Sequence, residues 1–177
     1  MPTKTVMDSD AVNRTISRIV NQILERNNGA RDLAIIGIRT RGVYIAGRIA
    51  AEIERIEGIK PPLGTLDITL YRDDLRHKAE WPKVKKTEIP FPVEDKKVIL
   101  VDDVIYTGRT IRAAIDEIMD YGRPSSIQLV ALIDRGLREL PIQPDYVGSK
   151  LDTLGSEEVR VRLREADGTD EVNLVTG

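Results

Sequence analysis

Three short stretches constrain this chain more than anything else in it. LAIIGI (Leu33 to Ile38), KKVILV (Lys96 to Val101) and IQLVALI (Ile127 to Ile133) are apolar almost throughout. A strand with one face in water alternates polar and apolar residues; a strand covered on both faces does not. LAIIGI runs into Arg39 to Gly42 and then into helical spacing at Ile45, Ala46, Ile49, Ala50 and Ile53, closing near Gly58. KKVILV runs into a polar stretch and a helix from Thr110 to Tyr121, closed by Gly122. Strand-helix-strand units in series imply an α/β fold, a parallel sheet core flanked by helices. Ligands in such sheets bind beyond the carboxyl ends of the strands. Arg39 to Gly42, Asp102 to Thr110 and the residues after Ile133 are the polar loops expected there.

The remainder fills in around that core. Asp8, Ser9 and Asp10 offer helix caps, and Val12, Ile16, Ile19, Val20, Ile23 and Leu24 repeat at helical spacing up to Gly29. LGTLDITLY (Leu63 to Tyr71) reads as a further strand. Arg72 to Pro92 carries no core pattern; it holds three prolines, the only Trp, the only His and a run of bases, and reads either as a lid able to close over an anionic ligand or as a disordered or solvated segment. After Asp134 the chain turns irregular around Pro141 and Pro144, and EVRVRL (Glu158 to Leu163) alternates as a half-exposed strand. With no repeat and no internal boundary, residues 1–177 read as a single domain.

Composition removes several chemistries. There are no cysteines, and His77 is the single histidine. Disulfides, thiolate metal sites, cysteine nucleophiles and multi-histidine metal centres are excluded, and a histidine-based triad is disfavoured. The formal charge of −2 implies no whole-molecule attraction to nucleic acid. No stretch has signal-peptide or membrane-spanning length, so a cytoplasmic protein without a membrane partner is expected.

The chemistry concentrates in VILVDDVIYTGRT (Val98 to Thr110). Asp102 and Asp103 follow a greasy strand directly, and adjacent strand residues point to opposite faces. A carboxylate there suits a sugar diol or magnesium, although an Asp pair read alone more often serves as a cap or turn. Val104 and Ile105 lead to Tyr106, Thr107, Gly108, Arg109 and Thr110, which supply hydroxyls, a permissive glycine and a helix N-terminus suited to a phosphate. Neither a P-loop lysine nor a G-x-G-x-x-G pattern is present. A diol acceptor just upstream of a phosphate cup describes a ribose 5-phosphate site. Arg39, Thr40, Arg41 and Gly42, at another strand end, then become a candidate pyrophosphate cradle.

VILVDDVIYTGRT resembles the phosphoribosyl-pyrophosphate motif of type I phosphoribosyltransferases. With IGIRTRGVYIAGRIA, LDITLYRDDL, DYGRPSSIQL and LIDRGLRELPI it resembles the PyrR family, bifunctional pyrimidine-operon attenuators with uracil phosphoribosyltransferase activity. The likeness spans about Ala11 to Leu163. It implies a type I fold with a small hood built from the N- and C-terminal segments and a lid at about residues 72–92. It implies the reaction of uracil with phosphoribosyl pyrophosphate to give UMP and pyrophosphate, with Mg2+ carried on the substrate's pyrophosphate. On that resemblance Asp102 and Asp103 address the ribose, Tyr106 to Thr110 the 5-phosphate, Thr40 and Arg41 the pyrophosphate, and Arg72 reaches over from the lid. Asp134, Arg135 and the strand near Val159 form the hood over the base. The fold alone also accommodates a purine; only the family-wide likeness points to uracil. A homodimer or homohexamer is implied by the same likeness.

The family's second role is UMP-dependent binding of pyrimidine operon leader RNA, and the alternative reading is a UMP-sensing RNA-binding attenuator with little turnover. Ser17, Arg26, Arg138 and Lys150 are the candidate RNA contacts. Asn21, Gln143 and Ser149 stand where such family members carry His, Arg and Lys, and each lost cationic phosphate contact weakens RNA binding. Catalysis is therefore the leading expectation. Arg14 with Arg18, and the stripe Arg160, Arg162 and Arg164, read as solvated faces.

Overall fold

The computed structural model describes residues 1–73 and 86–177. Its elements run β1 (Thr3–Met7), α1 (Ser9–Asn27), β2 (Leu33–Ile38), α2 (Arg41–Glu57), β3 (Leu63–Leu66), a short 3-10 turn (Thr69–Tyr71), β4 (Lys97–Ile105), α3 (Arg109–Tyr121), β5 (Ser126–Asp134), β6 (Tyr146–Lys150), β7 (Glu157–Arg162), α4 (Arg164–Asp167) and β8 (Glu171–Thr176). β3, β2, β4, β5 and β6 form, in that order, a sheet whose neighbours are all parallel. The expected parallel core is present, with helices on both sides.

Strand parity explains the layers. In β2 and β4, Leu33, Ile35, Ile99 and Val101 point to the side covered by α1 and α2, through Ile16, Ile19, Ile23, Ile45, Ile49 and Ile53. Ile36, Ile38, Val98 and Leu100 point to the other side, under Ile111, Ala114 and Ile118 of α3. Asp8 starts α1 by accepting the Ala11 N–H at 2.8 Å, and Asn28, in the left-handed region, ends it. β1, β8 and β7 form a separate antiparallel sheet from the two ends of the chain. Val161 and Val172 tie this small sheet to the α1 and α2 side of the core.

The chain leaves β2 for β3 on one side and returns to β4 on the other, so the strand order reverses between β2 and β4. At such a point two loops diverge and leave a crevice. Here they are the turn after β2 and the loop after β4. Glycine brings them together. A Cβ on Gly42 would lie 2.5 Å from the Val101 carbonyl oxygen, and one on Gly37 would lie 2.6 Å from the Gly42 carbonyl oxygen.

The structure departs from sequence expectation in four places. The strand expected over Leu63 to Tyr71 stops at Leu66, because Asp67 accepts the Thr69 N–H at 3.0 Å and turns the backbone into the 3-10 turn. β4 runs on to Ile105, so Asp102 and Asp103 lie on a strand and not in a loop. β5 sustains that extension by pairing Asp102 with Ala131 and Ile105 with Asp134. The stretch after Asp134, expected to be irregular, contains β6, an edge strand of five residues. β1 and β8, both short, were not expected at all. Arg76, His77, Lys78, Lys83 and Lys85 of the expected lid lie outside the described residues.

Replacing Gly42 by alanine is expected to force the start of α2 away from β4. A loss of about 1–3 kcal/mol should follow, read as a lower urea midpoint with an unchanged slope.

Candidate active site at the sheet switch point

The parity that sorts the core also sorts the two carboxylates. Asp103 continues the Ile99 and Val101 side and opens into a cleft of about 560 Å³, lined also by Arg41, Val159, Arg160, Asp167 and Asn173. Asp102 continues the Val98 and Leu100 side. It is buried, and it lines a smaller cavity of about 100 Å³ with Tyr106, Thr107, Gly108, Thr110 and Ile111. The pair thus addresses two sides of one strand. Asp102 accepts the Asp103 N–H and Asp103 accepts the Val104 N–H, each at 2.9 Å. Burial, and then the neighbouring Asp103, pushes the Asp102 carboxyl well above the usual carboxylate range.

After Ile105, whose side chain is buried in the core, the chain turns at Gly108, which has φ of 94°. That left-handed value favours glycine and delivers the chain into α3. The amides of the first helical turn have no acceptor within the helix; Arg109 N–H donates to Thr107 Oγ1 at 3.3 Å, and Gly108, Thr110 and Ile111 line the smaller cavity. The turn is braced from behind. Thr107 O accepts the N–H groups of Glu139 and Leu140, and Arg138 Nη1 donates to Tyr106 O at 2.8 Å. Arg138 also donates to Ile142 O, Asp134 Oδ2 and Gln143 Oε1. The Arg109 side chain points away, pairing with Asp73 and Glu139, and shares a separate groove with Arg72, Asp73 and Thr110.

The turn after β2 presents Arg41 to the large cleft, and its Arg39–Thr40 peptide is cis. Arg41 Nη2 and Nε donate to Asp167 Oδ1 and Oδ2 at 2.8 and 3.2 Å. Arg39 turns the other way, donating to Lys86 O at 2.8 Å and Thr65 Oγ1 at 3.2 Å. Its side chain ties β3 to the far end of the expected lid and is not aimed with Arg41 at the cleft. Gly42 packs on β4 and gives its neighbours their close approach.

The expected base-side residues lie at the end of β5. Asp134 accepts from Arg138 and from the Gly136 N–H; burial opposes ionisation, yet these two donors outweigh it and hold the carboxyl below its ordinary value. Arg135 is buried, with its guanidinium 4.1 Å from the Tyr106 ring centroid. It donates to Thr153 Oγ1, Leu154 O and Glu157 O, so it fastens the phosphate-side turn to the small sheet. Val159, on β7, lines the same cleft as Asp103.

The candidate RNA contacts are largely engaged within the chain. Asn21 Nδ2 donates to Ser17 O, and Arg26 pairs with Asp145. Arg138 and Gln143 bind each other. Lys150 is exposed on β6, next to Ser149. Arg18 donates to Val147 O and Gly148 O, clamping α1 to β6. Arg160, Arg162 and Arg164 pair with Glu158, Glu171 and Asp170, which offsets the charge of that stripe.

Sequence reasoning missed Asp167, Asn173 and Thr3, all of which line the large cleft. Asp167 lies 126 residues from its partner Arg41. READG reads locally as an ordinary helix end, and no local signal connects it to the turn after β2.

Because burial raises Asp102, its ionised form costs stability at neutral pH, and that cost vanishes once the pH falls into the ordinary carboxylate range. Asp102→Asn is therefore expected to raise the melting temperature. The gain over the native chain should be larger at pH 8 than at pH 4, as followed by circular dichroism.

A family model for the phosphoribosyl transferase domain matches residues 3–164. The bifunctional protein PyrR of Deinococcus radiodurans is 54% identical over 98% of this chain and 94% of its own length. The bifunctional protein PyrR of Pelotomaculum thermopropionicum is 57% identical over 96% and 94%. A hypoxanthine-guanine phosphoribosyltransferase from Bacillus anthracis superimposes with a TM-score of 0.70 over 98% of both chains at 16% identity. A purine phosphoribosyltransferase from Pyrococcus horikoshii does so with a TM-score of 0.60 at 25% identity, over 82% of this chain and 86% of its own.

Proposed function

This chain belongs to the phosphoribosyl transferase domain family, among the bifunctional PyrR proteins, and from that premise we propose that it is a uracil phosphoribosyltransferase. It joins N1 of uracil to C1 of phosphoribosyl pyrophosphate, giving UMP and pyrophosphate. The bond from C1 to the pyrophosphate oxygen breaks, the new C1–N1 bond forms, and the N1 proton is released with pyrophosphate. The observation that carries this reading is the division of labour along β4: Asp103 lines the large cleft with Arg41 and Val159, while Asp102 lies beside the phosphate-sized cavity at α3.

The charges fit that reaction. As the C1–O bond lengthens, positive charge grows on the ribose and negative charge on the leaving pyrophosphate. A carboxylate beside the ring and a guanidinium beside the leaving group both stabilise that separation in a partly closed cleft. The amides at the start of α3 and the Thr107 and Thr110 hydroxyls suit the 5-phosphate. No histidine or cysteine base is needed, because uracil N1 has only to lose its proton as the carbon becomes cationic. Among the described residues no three acidic or histidine side chains converge on one point. With the two aspartates on opposite sides of β4, the donor set suits a magnesium ion carried on the substrate's pyrophosphate, with Asp103 the carboxylate placed to meet it. Bound there, the ion supplies charge neutralisation of the leaving group. A donor this highly charged does not cross a bilayer unaided, so the reaction belongs to the cytoplasm.

The RNA-dependent regulatory role implied by the resemblance stands second. Arg26 and Arg138 already hold partners inside the chain, and Asn21 and Gln143 supply no charge for RNA phosphates where such family members carry cations.

Radiolabelled uracil should be converted to UMP by the purified chain with phosphoribosyl pyrophosphate and magnesium. Asp103→Asn should lower kcat by about 10²-fold. Conversion of hypoxanthine at equal or better kcat/KM would overturn the choice of base. UMP-enhanced retention of leader RNA without turnover would favour the regulator.

A further inference from the structure

We infer that Asp167 is a positioning residue for the transfer, holding the Arg41 guanidinium so that its outer edge meets the departing pyrophosphate. The inference rests on the phosphoribosyl-transfer reading and deepens it at one place.

The contact is side-on. Arg41 uses its Nε and Nη2 hydrogens on the two oxygens of Asp167. A guanidinium has five N–H groups, so the Nη1 pair and the second Nη2 hydrogen remain for a ligand. These form the outer edge, which matches two oxygens of a phosphate. Arg41 and Asp103 line the same cleft, so a ligand at that edge also lies on the carboxylate side of β4.

Asp167 is itself fixed. Its side chain is 16% exposed, and Oδ2 also accepts the Leu163 N–H at 2.8 Å. Arg41, and then that amide, keep it below the ordinary carboxylate range, so it stays charged wherever the reaction runs. Its segment is anchored independently. Arg48, two turns further along α2 from Arg41, donates to both Glu165 and Asp170. Asp170 is buried and also accepts the Arg164 N–H. The small sheet therefore has a second anchor on α2 besides the Asp167–Arg41 pair.

A purely electrostatic account predicts the opposite sign. If Arg41 acted only through its charge, Asp167 would partly cancel it, and its removal would tighten anion binding. If orientation governs, removal loosens binding despite the more positive cleft.

The test compares Asp167→Asn, Asp167→Glu and Asp170→Asn with the native chain. Asp167→Asn should raise the KM for phosphoribosyl pyrophosphate about tenfold and lower kcat, with the KM for uracil changed far less. Titration calorimetry with magnesium pyrophosphate should show a loss of affinity of the same order. Asp167→Glu, which keeps the charge and reaches further, should recover part of both. Asp170→Asn should lower the melting temperature while leaving the donor KM near the native value. Unchanged or tighter pyrophosphate binding in Asp167→Asn would overturn the inference while leaving the transfer reading intact. A native chain that neither transfers nor binds pyrophosphate would instead sink the reading on which it rests.

Discussion

Everything at the site follows from β4 outrunning its neighbour on one side. β2 pairs with β4 only as far as Gly37 opposite Val101, whereas β5 accompanies β4 through to Ile105. A strand sandwiched between helical layers cannot carry charge within the sheet without a large desolvation cost. One residue beyond the last β2 pairing the sheet opens on one edge, which lets Asp103 reach the cleft while Asp102 stays buried and bears that cost. Asp102 and Asp103 occupy this overhang, where β5 still pairs with Asp102, Val104 and Ile105. Strand alternation at these two residues sends one carboxylate to the cavity beneath α3 and the other into the cleft with Arg41. Had the strand ended at Val101, both acids would have entered a flexible turn and their division between two cavities would have been lost.

The overhang works only because the turn after β2 comes close enough to face it. Gly37 and Gly42 permit that approach, their missing Cβ atoms leaving room for backbone alone. Arg41 is thereby delivered beside Asp103, where an arginine would otherwise neutralise the acid. Asp167 draws the guanidinium's inner edge away, so the cleft keeps a carboxylate and a cation side by side without their closing on each other. Such a pair suits a reaction that separates charge, since each partner meets the end of the breaking bond that complements it.

How much of this was legible in the sequence depends on how local each signal is. LAIIGI, VILV and IQLVALI announced the parallel core because burial on both faces is written in consecutive residues. Tyr106 to Thr110 announced an anion-binding helix start for the same reason. The continuation of β4 past Asp102 was not legible. Two adjacent acids read as the end of a strand, and only pairing with β5, some thirty residues on, keeps them extended. Arg39 and Arg41 looked equivalent beside one glycine, yet one binds Lys86 O and Thr65 while the other enters the cleft. β1 and β8 were missed because β1 is mostly polar and β8 lacks the clean alternation of EVRVRL; they exist by pairing with each other and β7.

Arg138 shows how closely the two candidate activities are bound together. Its guanidinium is largely enclosed, joining the Tyr106 carbonyl of the phosphate-side turn to Asp134 at the end of β5 and to Ile142 and Gln143 on the way to β6. A cation whose donors are distributed in this way braces a loop, and a polyanion could recruit it only by first breaking those bonds. Breaking them would release the Tyr106 carbonyl and loosen the turn that precedes α3. The Arg138 side chain thus belongs to the frame of the turn before α3, with Asp134 and the end of β5 as its fixed support.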